Sequence, residues 1–203
     1  MFRPSLKDEL TQAPRLEFGP NEFFLMTSLK FGIEQLLAHN STIHCEVFSG
    51  QHCIIFFDLC HAFESHNTRS KGKGEVTLKL ILLSFLYGIL LVREHCSSLL
   101  DIRFLHLADD LDMFNSFPWG VPAFEALWSS VLVVDGRLQS DVQKKDRCAF
   151  DMCGFTFALQ AWAYEVMPHL ASFYALRMPD SESMIPRILR WTSMQFFRFD
   201  VLK

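Results

Sequence analysis

Apolar residues recur at helical spacing along most of the chain. The clearest run is 75–92, where Leu78, Ile81, Leu82, Phe85, Leu86, Ile89 and Leu90 follow the i, i+3, i+4, i+7 pattern of an amphipathic helix. Leu83 and Leu91 widen that stripe until little polar surface remains, which predicts the central helix of the domain. Its most apolar stretch, 80–92, is 13 residues long, against the about 20 that a membrane span needs, so it predicts a buried helix and no membrane.

The rest of the pattern fills in around it. Asn21 is placed to cap a helix over 22–30, with Gly32 to end it. Ile43, Cys45 and Val47 alternate with His44 and Glu46, which fits a short strand or an extended loop, and Ser49-Gly50 is a turn signal. The predicted helices continue over 54–63 and 98–107. Residues 65–75 read as a polar loop. Asp109, Asp110 and Asp112 suit the first turn of a further helix that stops before Pro118. Pro122 suits the first turn of the next, through Ala123, Phe124, Leu127, Trp128 and Val131. A charged connector over 135–150 follows, then an aromatic helix over 155–174 kinked at Pro168, a loop over 178–186, and a last helix over 185–199. The sum is an all-α or mainly α single domain over 21–199, with room for one short strand or hairpin near 43–56. It is preceded by an extended lead-in over 1–20 and followed by a tail over 200–203.

Composition narrows the chemistry. The 203 residues hold 21 Phe against 4 Trp and 3 Tyr; Phe has no polar handle, so the excess points to core packing. Lys+Arg 19 against Asp+Glu 23 gives −4, which excludes a generally basic nucleic-acid coat. The opening Met1-Phe2-Arg3-Pro4, with Lys7, Asp8 and Glu9 close behind, lacks the apolar stretch of a signal peptide. The six cysteines, at 45, 53, 60, 96, 148 and 153, therefore read as free thiols of an intracellular protein, with the nucleus open as its location.

Four constellations could carry chemistry. His44-Cys45, His52-Cys53 and Cys60-His61 are soft ligands, but without the C-x2-C or H-x3-5-H spacing of common zinc sites. Asp151-Met152-Cys153-Gly154 resembles the nucleophile setting of SUMO-type cysteine proteases; Arg147 stands where those carry the oxyanion-donating Gln, and no His-Trp pair occurs. The favoured reading is a small residue that lets helices pack closely. Arg69, Lys71 and Lys73, with Lys144, Lys145 and Arg147, would make a phosphate-binding face only if they converged. Walker A, G-x-S-x-G, H-E-x-x-H and dinucleotide fingerprints are absent, so no cofactor, metal or catalytic residue is assigned. Phe117-Pro118-Trp119-Gly120 is either a rigid structural corner or, through Phe117, Pro118 and Trp119, an exposed aromatic anchor for a protein partner.

Four segments, in order, resemble one family. EFFLMTSLKFG at 22–32 is similar to an opening motif with a "(T/S)-G-L-x-F-G" turn. DDLDMFNSFPWG at 109–120 resembles "E-D-L-D-x-F-N-x-Y-P-W-G". GFTFALQAWAYE at 154–165 resembles "G-F-P-L-A-L-Q-x-W-A-Y-E", and PRILRW at 186–191 resembles "P-R-I-L-x-W". Ser28 stands where Gly is common, and Thr156 where Pro is common. The family is a plant domain of unknown function (domain-of-unknown-function one-nine-eight-five) found in transposon-derived genes, often beside a SUMO-type protease domain that this chain does not contain. The resemblance implies a mobile-element ancestry and no catalytic residue. It favours a non-enzymatic interaction module with a protein partner, ahead of a nucleic-acid-associated domain and a cryptic cysteine hydrolase at Cys153.

Overall fold

A computed structural model describes residues 17–34, 41–49, 51, 53–69, 74–92, 98–141 and 152–193. These residues are mainly helical. In chain order they form α1 (Pro20–Thr27), α2 (Thr42–Glu46), α3 (Phe56–Arg69), α4 (Gly74–Phe85) continued by a π-helical turn (Leu86–Leu90), α5 (Ile102–Ala108), α6 (Leu111–Ser116), α7 (Gly120–Asp141), α8 (Thr156–Val166) and α9 (Pro168–Tyr174). Two 3-10 turns, Ser181–Ser183 and Arg187–Arg190, accompany a single two-stranded antiparallel sheet, β1 (Ala175–Arg177) with β2 (Trp191–Ser193). Its register pairs Ala175 with Ser193 and Arg177 with Trp191. No helix among the described residues is long and apolar enough to cross a membrane.

Several expected boundaries move, each for a local reason. α1 starts at Pro20, with Gly19 as its cap and the Glu22 carboxylate accepting from the Gly19 N–H at 2.9 Å, rather than at an Asn21 cap. Phe18 is buried in the core, so the lead-in ends before it; residues 1–16 and the 200–203 tail lie outside the described residues. The alternating 43–47 segment is helix α2, because Ser41 caps it by accepting from the His44 N–H at 3.2 Å. The expected strand near 43–56 shrinks to one bridge between Ile55 and Leu99. α3 runs on through the start of the expected 65–75 loop, and α7 through the start of the 135–150 connector, to Asp141. The aromatic 155–174 helix divides at Met167, the residue that Pro168 pushes out of helical backbone (φ −125°, ψ 78°). Over 185–193 the last expected helix is instead a 3-10 turn and strand β2: Pro186 withholds an N–H, and Trp191-Thr192 pair with β1; its remainder, 194–199, lies outside the described residues.

α1 ends sooner than expected, and with a conformational cost. Its C-cap is Ser28 at φ 56°, in the left-handed region, with its N–H donating to Phe24 O at 2.7 Å. That is the position where the family resemblance expects glycine. A side chain there costs about 1–2 kcal/mol, whereas glycine gives up about 0.5–1 kcal/mol of chain entropy. Ser28→Gly is therefore expected to raise unfolding stability by about 0.5–1 kcal/mol, read as a higher urea midpoint at unchanged slope; a lower midpoint would contradict this account of the cap.

The core is continuous from Phe18 to Ala161 and draws on α1 through α8. Phe23, Leu59, Leu80, Leu83, Leu86, Leu105 and Leu127 are wholly inaccessible. The phenylalanine excess accounts for much of its α1 end. Phe23 meets Phe18, Phe31 and Phe124 at ring separations of 6.4, 6.2 and 5.6 Å, and Phe18 meets Trp162 at 5.2 Å. A satellite cluster of Tyr164, Ala171 and Ala175 lies between α8, α9 and β1, with Trp191 of β2 against it.

Candidate functional site

The aromatic corner turns out to be a packing device. Phe117 and Trp119 are buried, 4% and 7% exposed, and Pro118 is half-buried. The Trp119 indole N–H donates to Phe114 O at 2.7 Å, and its ring lies 4.5–5.2 Å from those of Phe117, Phe114 and Phe104. The reading of Phe117, Pro118 and Trp119 as an exposed anchor is therefore corrected: an indole whose N–H and faces are already engaged offers nothing to a partner. Gly120 completes the corner. Its N–H donates to Lys30 O at 2.8 Å, and a Cβ there would lie 2.5 Å from the Phe31 ring. The corner thus receives the opening motif.

Asp109 and Asp110, adjacent in sequence, do different work. Asp110 caps α6, its carboxylate accepting from the Asp112 and Met113 N–H groups at 2.9 and 3.1 Å. Asp109 reaches back to the start of α2 and accepts from the Thr42 N–H at 2.8 Å, the Ile43 N–H at 3.2 Å and the Thr42 hydroxyl. It also pairs with the ammonium of Lys79 at 3.2 Å, which Glu75 approaches at 2.8 Å. Burial raises the Asp109 pKa; hydrogen bonds from Thr42, Ser41, Lys79 and Ile43 outweigh that and hold it below the usual carboxylate value. Burial likewise lowers Lys79, and its two carboxylate partners carry it above the usual lysine value. Sequence spacing could not show this pair, since its members stand 30 positions apart.

The Cys153-Gly154 pair is a crossing point. The Cys153 N–H donates to Ser130 Oγ at 2.8 Å and the Gly154 N–H to Val92 O at 2.7 Å. Among the described residues no histidine hydrogen-bonds the Cys153 sulfur. No three His, Cys, Asp or Glu side chains among the described residues are grouped to hold a metal ion; His52 lies outside them. Lys71, Lys73, Lys144, Lys145 and Arg147 also lie outside the described residues, as does the side chain of Arg69.

The most distinctive surface is one the pattern assigned to the interior. α4 and its π turn bury Lys79, Leu80, Leu83, Leu86, Tyr87 and Leu90. Leu78, Ile81, Phe85 and Ile89, four of the residues expected to face the core, are instead 40–47% exposed. They follow one another at three- and four-residue steps and so form one stripe along the helix. The π turn is marked by the Leu91 N–H donating to Leu86 O at 2.7 Å. The Tyr87 hydroxyl, which accepts from the Asp101 N–H at 2.8 Å, anchors it. A helix apolar all round is normally covered all round; this one is covered on one side. No family model matches the chain, and no curated protein or solved structure matches it either.

Proposed function

We propose that this chain is a non-enzymatic protein-interaction module, and that the stripe of Leu78, Ile81, Phe85 and Ile89 is the face it presents to a partner. The observation that carries the reading is that four large apolar side chains on one side of the central helix are half-exposed while a lysine of the same helix is taken into the interior. Leaving four large apolar groups in a row exposed forgoes a sizeable hydrophobic gain, and contiguous apolar surface of this kind characterises association sites. The family resemblance supports the same reading, and with it a transposon-derived origin.

The test compares proteins captured by wild type with those captured by Phe85→Asp/Ile89→Asp and by a control, Leu176→Asp, whose exposed leucine lies on β1. Substitutions at such half-exposed positions are expected to cost about 1 kcal/mol or less, so all three should melt alike by circular dichroism. A partner retained by wild type and control and depleted at least tenfold by the double variant is the expected result. Identical partner sets from a folded double variant would sink the assignment of this face.

A further inference from the structure

A second site lies at the opposite end of the sequence, where two of the family-like motifs meet. A surface cavity of about 390 Å³ is lined by Tyr164, Glu165, Pro168, Ala171, Arg177, Arg190 and Trp191. Tyr164 and Glu165 end the aromatic motif of α8, and Arg190 and Trp191 end the closing motif. The rings of Tyr164 and Trp191 stand 5.7 Å apart and form an apolar floor with Pro168 and Ala171.

The wall is rich in donors and short of acceptors. The Arg190 side chain is 15% exposed, yet its Nε donates to Met184 O at 3.1 Å while its Nη1 stands 3.9 Å from Glu165 Oε1, beyond hydrogen-bond distance. A guanidinium has five N–H groups to satisfy, and those of Arg190 that these partners leave over are not sealed inside, so they are open to a ligand at the cavity wall. Arg177 is half-exposed and 3.8 Å from Glu182, again beyond hydrogen-bond distance. Glu165, the one carboxylate in the lining, is already engaged by Arg187 at 3.1 Å. The Trp191 indole N–H is buried in the same wall without an acceptor among the described residues, although it is covered in this conformation.

We infer that this cavity binds a carboxylate attached to an apolar group, with Arg190 and Arg177 taking the carboxylate and the Tyr164–Trp191 floor taking the apolar part. Planar forked pairing between guanidinium and carboxylate supplies the donors' missing acceptors. The neighbouring Glu165 selects against a doubly charged phosphate, which it would repel more strongly than a singly charged carboxylate. Two sources fit this chemistry, an acidic segment of a protein and a free organic acid. The site does not rest on the α4 face, which is carried by other residues.

Calorimetric titration of the full chain distinguishes the sources. The probes are a terminally blocked peptide of alternating Glu and Leu, its Gln counterpart, hexanoate and inorganic phosphate. The Glu peptide is expected to bind, the Gln peptide to bind at least tenfold more weakly, and Arg177→Gln to weaken the Glu peptide at least tenfold. Arg177 is exposed enough that this variant should fold; Arg190→Gln, with folding checked, should weaken binding further. Phe85→Asp/Ile89→Asp should bind as wild type, so that loss of the α4 face and loss of this site read separately. Binding of hexanoate without the peptide supports the site with a free acid as its ligand. The inference is overturned if neither acid binds, if the Glu and Gln peptides bind equally, if Arg177→Gln changes nothing, or if phosphate binds more tightly than hexanoate.

Discussion

Gly154→Ala is expected to remove about 2–5 kcal/mol of unfolding stability. Two costs act together. Gly154 sits at φ 74°, where an L side chain costs about 1–2 kcal/mol. Its Cβ would also lie 2.4 Å from Leu127 N, 2.7 Å from Leu127 Cα and 2.9 Å from Ala126 C. Those atoms are the backbone of α7, so relief requires the helix itself to shift, at an overpacking cost of about 1–3 kcal/mol or more. The shift would also stretch the Gly154 N–H bond to Val92 O and the Cys153 N–H bond to Ser130 Oγ. Gly136 is the internal control: it lies within α7 with open space where a Cβ would stand, so Gly136→Ala should gain about 0.5–1 kcal/mol of helix propensity. Urea titration of both variants checks the pair. A Gly154→Ala midpoint within error of wild type would mean that α7 can move away freely and that the crossing is not close-packed.

How much of this was legible beforehand depends on whether the deciding interaction is local. α4, α6 and the break at Pro168 were visible because period, acidic first turns and proline act within one or two turns of chain. The small-residue reading of Cys153-Gly154 and the structural-corner reading of Phe117–Gly120 also followed from residue type. What failed was facing. The α4 stripe was expected to be buried because Leu78, Ile81, Phe85 and Ile89 match the helical period as well as Leu80, Leu83, Leu86 and Leu90 do. On a helix apolar on every side, periodicity cannot choose the inner face. The choice is tertiary: α3 and α5 pack against α4, and Asp109 draws Lys79 inward. The 43–47 segment failed for a related reason. Its alternation suggested a strand, but Ser41 and the distant Asp109 together satisfy the first N–H groups of a helix. The closing strand has no local signature because its partner, Ala175–Arg177, lies just past the predicted helix end at Tyr174, and 13 residues intervene between Arg177 and Trp191.

The cavity shows the same division. Each lining residue is unremarkable alone, and the four motifs were first notable only as a resemblance. In the fold they adjoin one another. α1 of the opening motif packs on α7, on α8 of the aromatic motif and on the 3-10 turn of the closing motif, while Gly120 of the corner binds Lys30 O at the exit of α1. Most motif positions are thereby accounted for by packing. Of the charged residues, Glu165 and Arg187 pair at the rim instead, with Arg190 standing 3.9 Å from Glu165.

Asp109→Ala is expected to cost about 3 kcal/mol at neutral pH. The carboxylate closes the N-terminus of α2 and neutralises Lys79, whose side chain is only 9% exposed. Removing it leaves the ammonium with Glu75, a largely exposed partner, and leaves two N–H groups uncapped. The pH dependence separates this from generic loss of packing. Asp109 is held below its ordinary 3.8 in the folded state, so its contribution is complete above that value and fades as pH falls through the lower folded pKa. Lys79 is held above its ordinary 10.5, so its contribution is complete below that value and fades as pH rises through the higher folded pKa. The gap in stability between wild type and Asp109→Asn should therefore be flat from about pH 5 to pH 9 and narrow on both sides. A cycle with Lys79→Met should return a coupling of about 1–3 kcal/mol at pH 7, and the double variant should be more stable than Asp109→Asn alone because no ammonium remains inside with only the exposed Glu75 as its partner. A gap that does not change between pH 7 and pH 3 would assign the role of Asp109 to its hydrogen bonds and not to its charge.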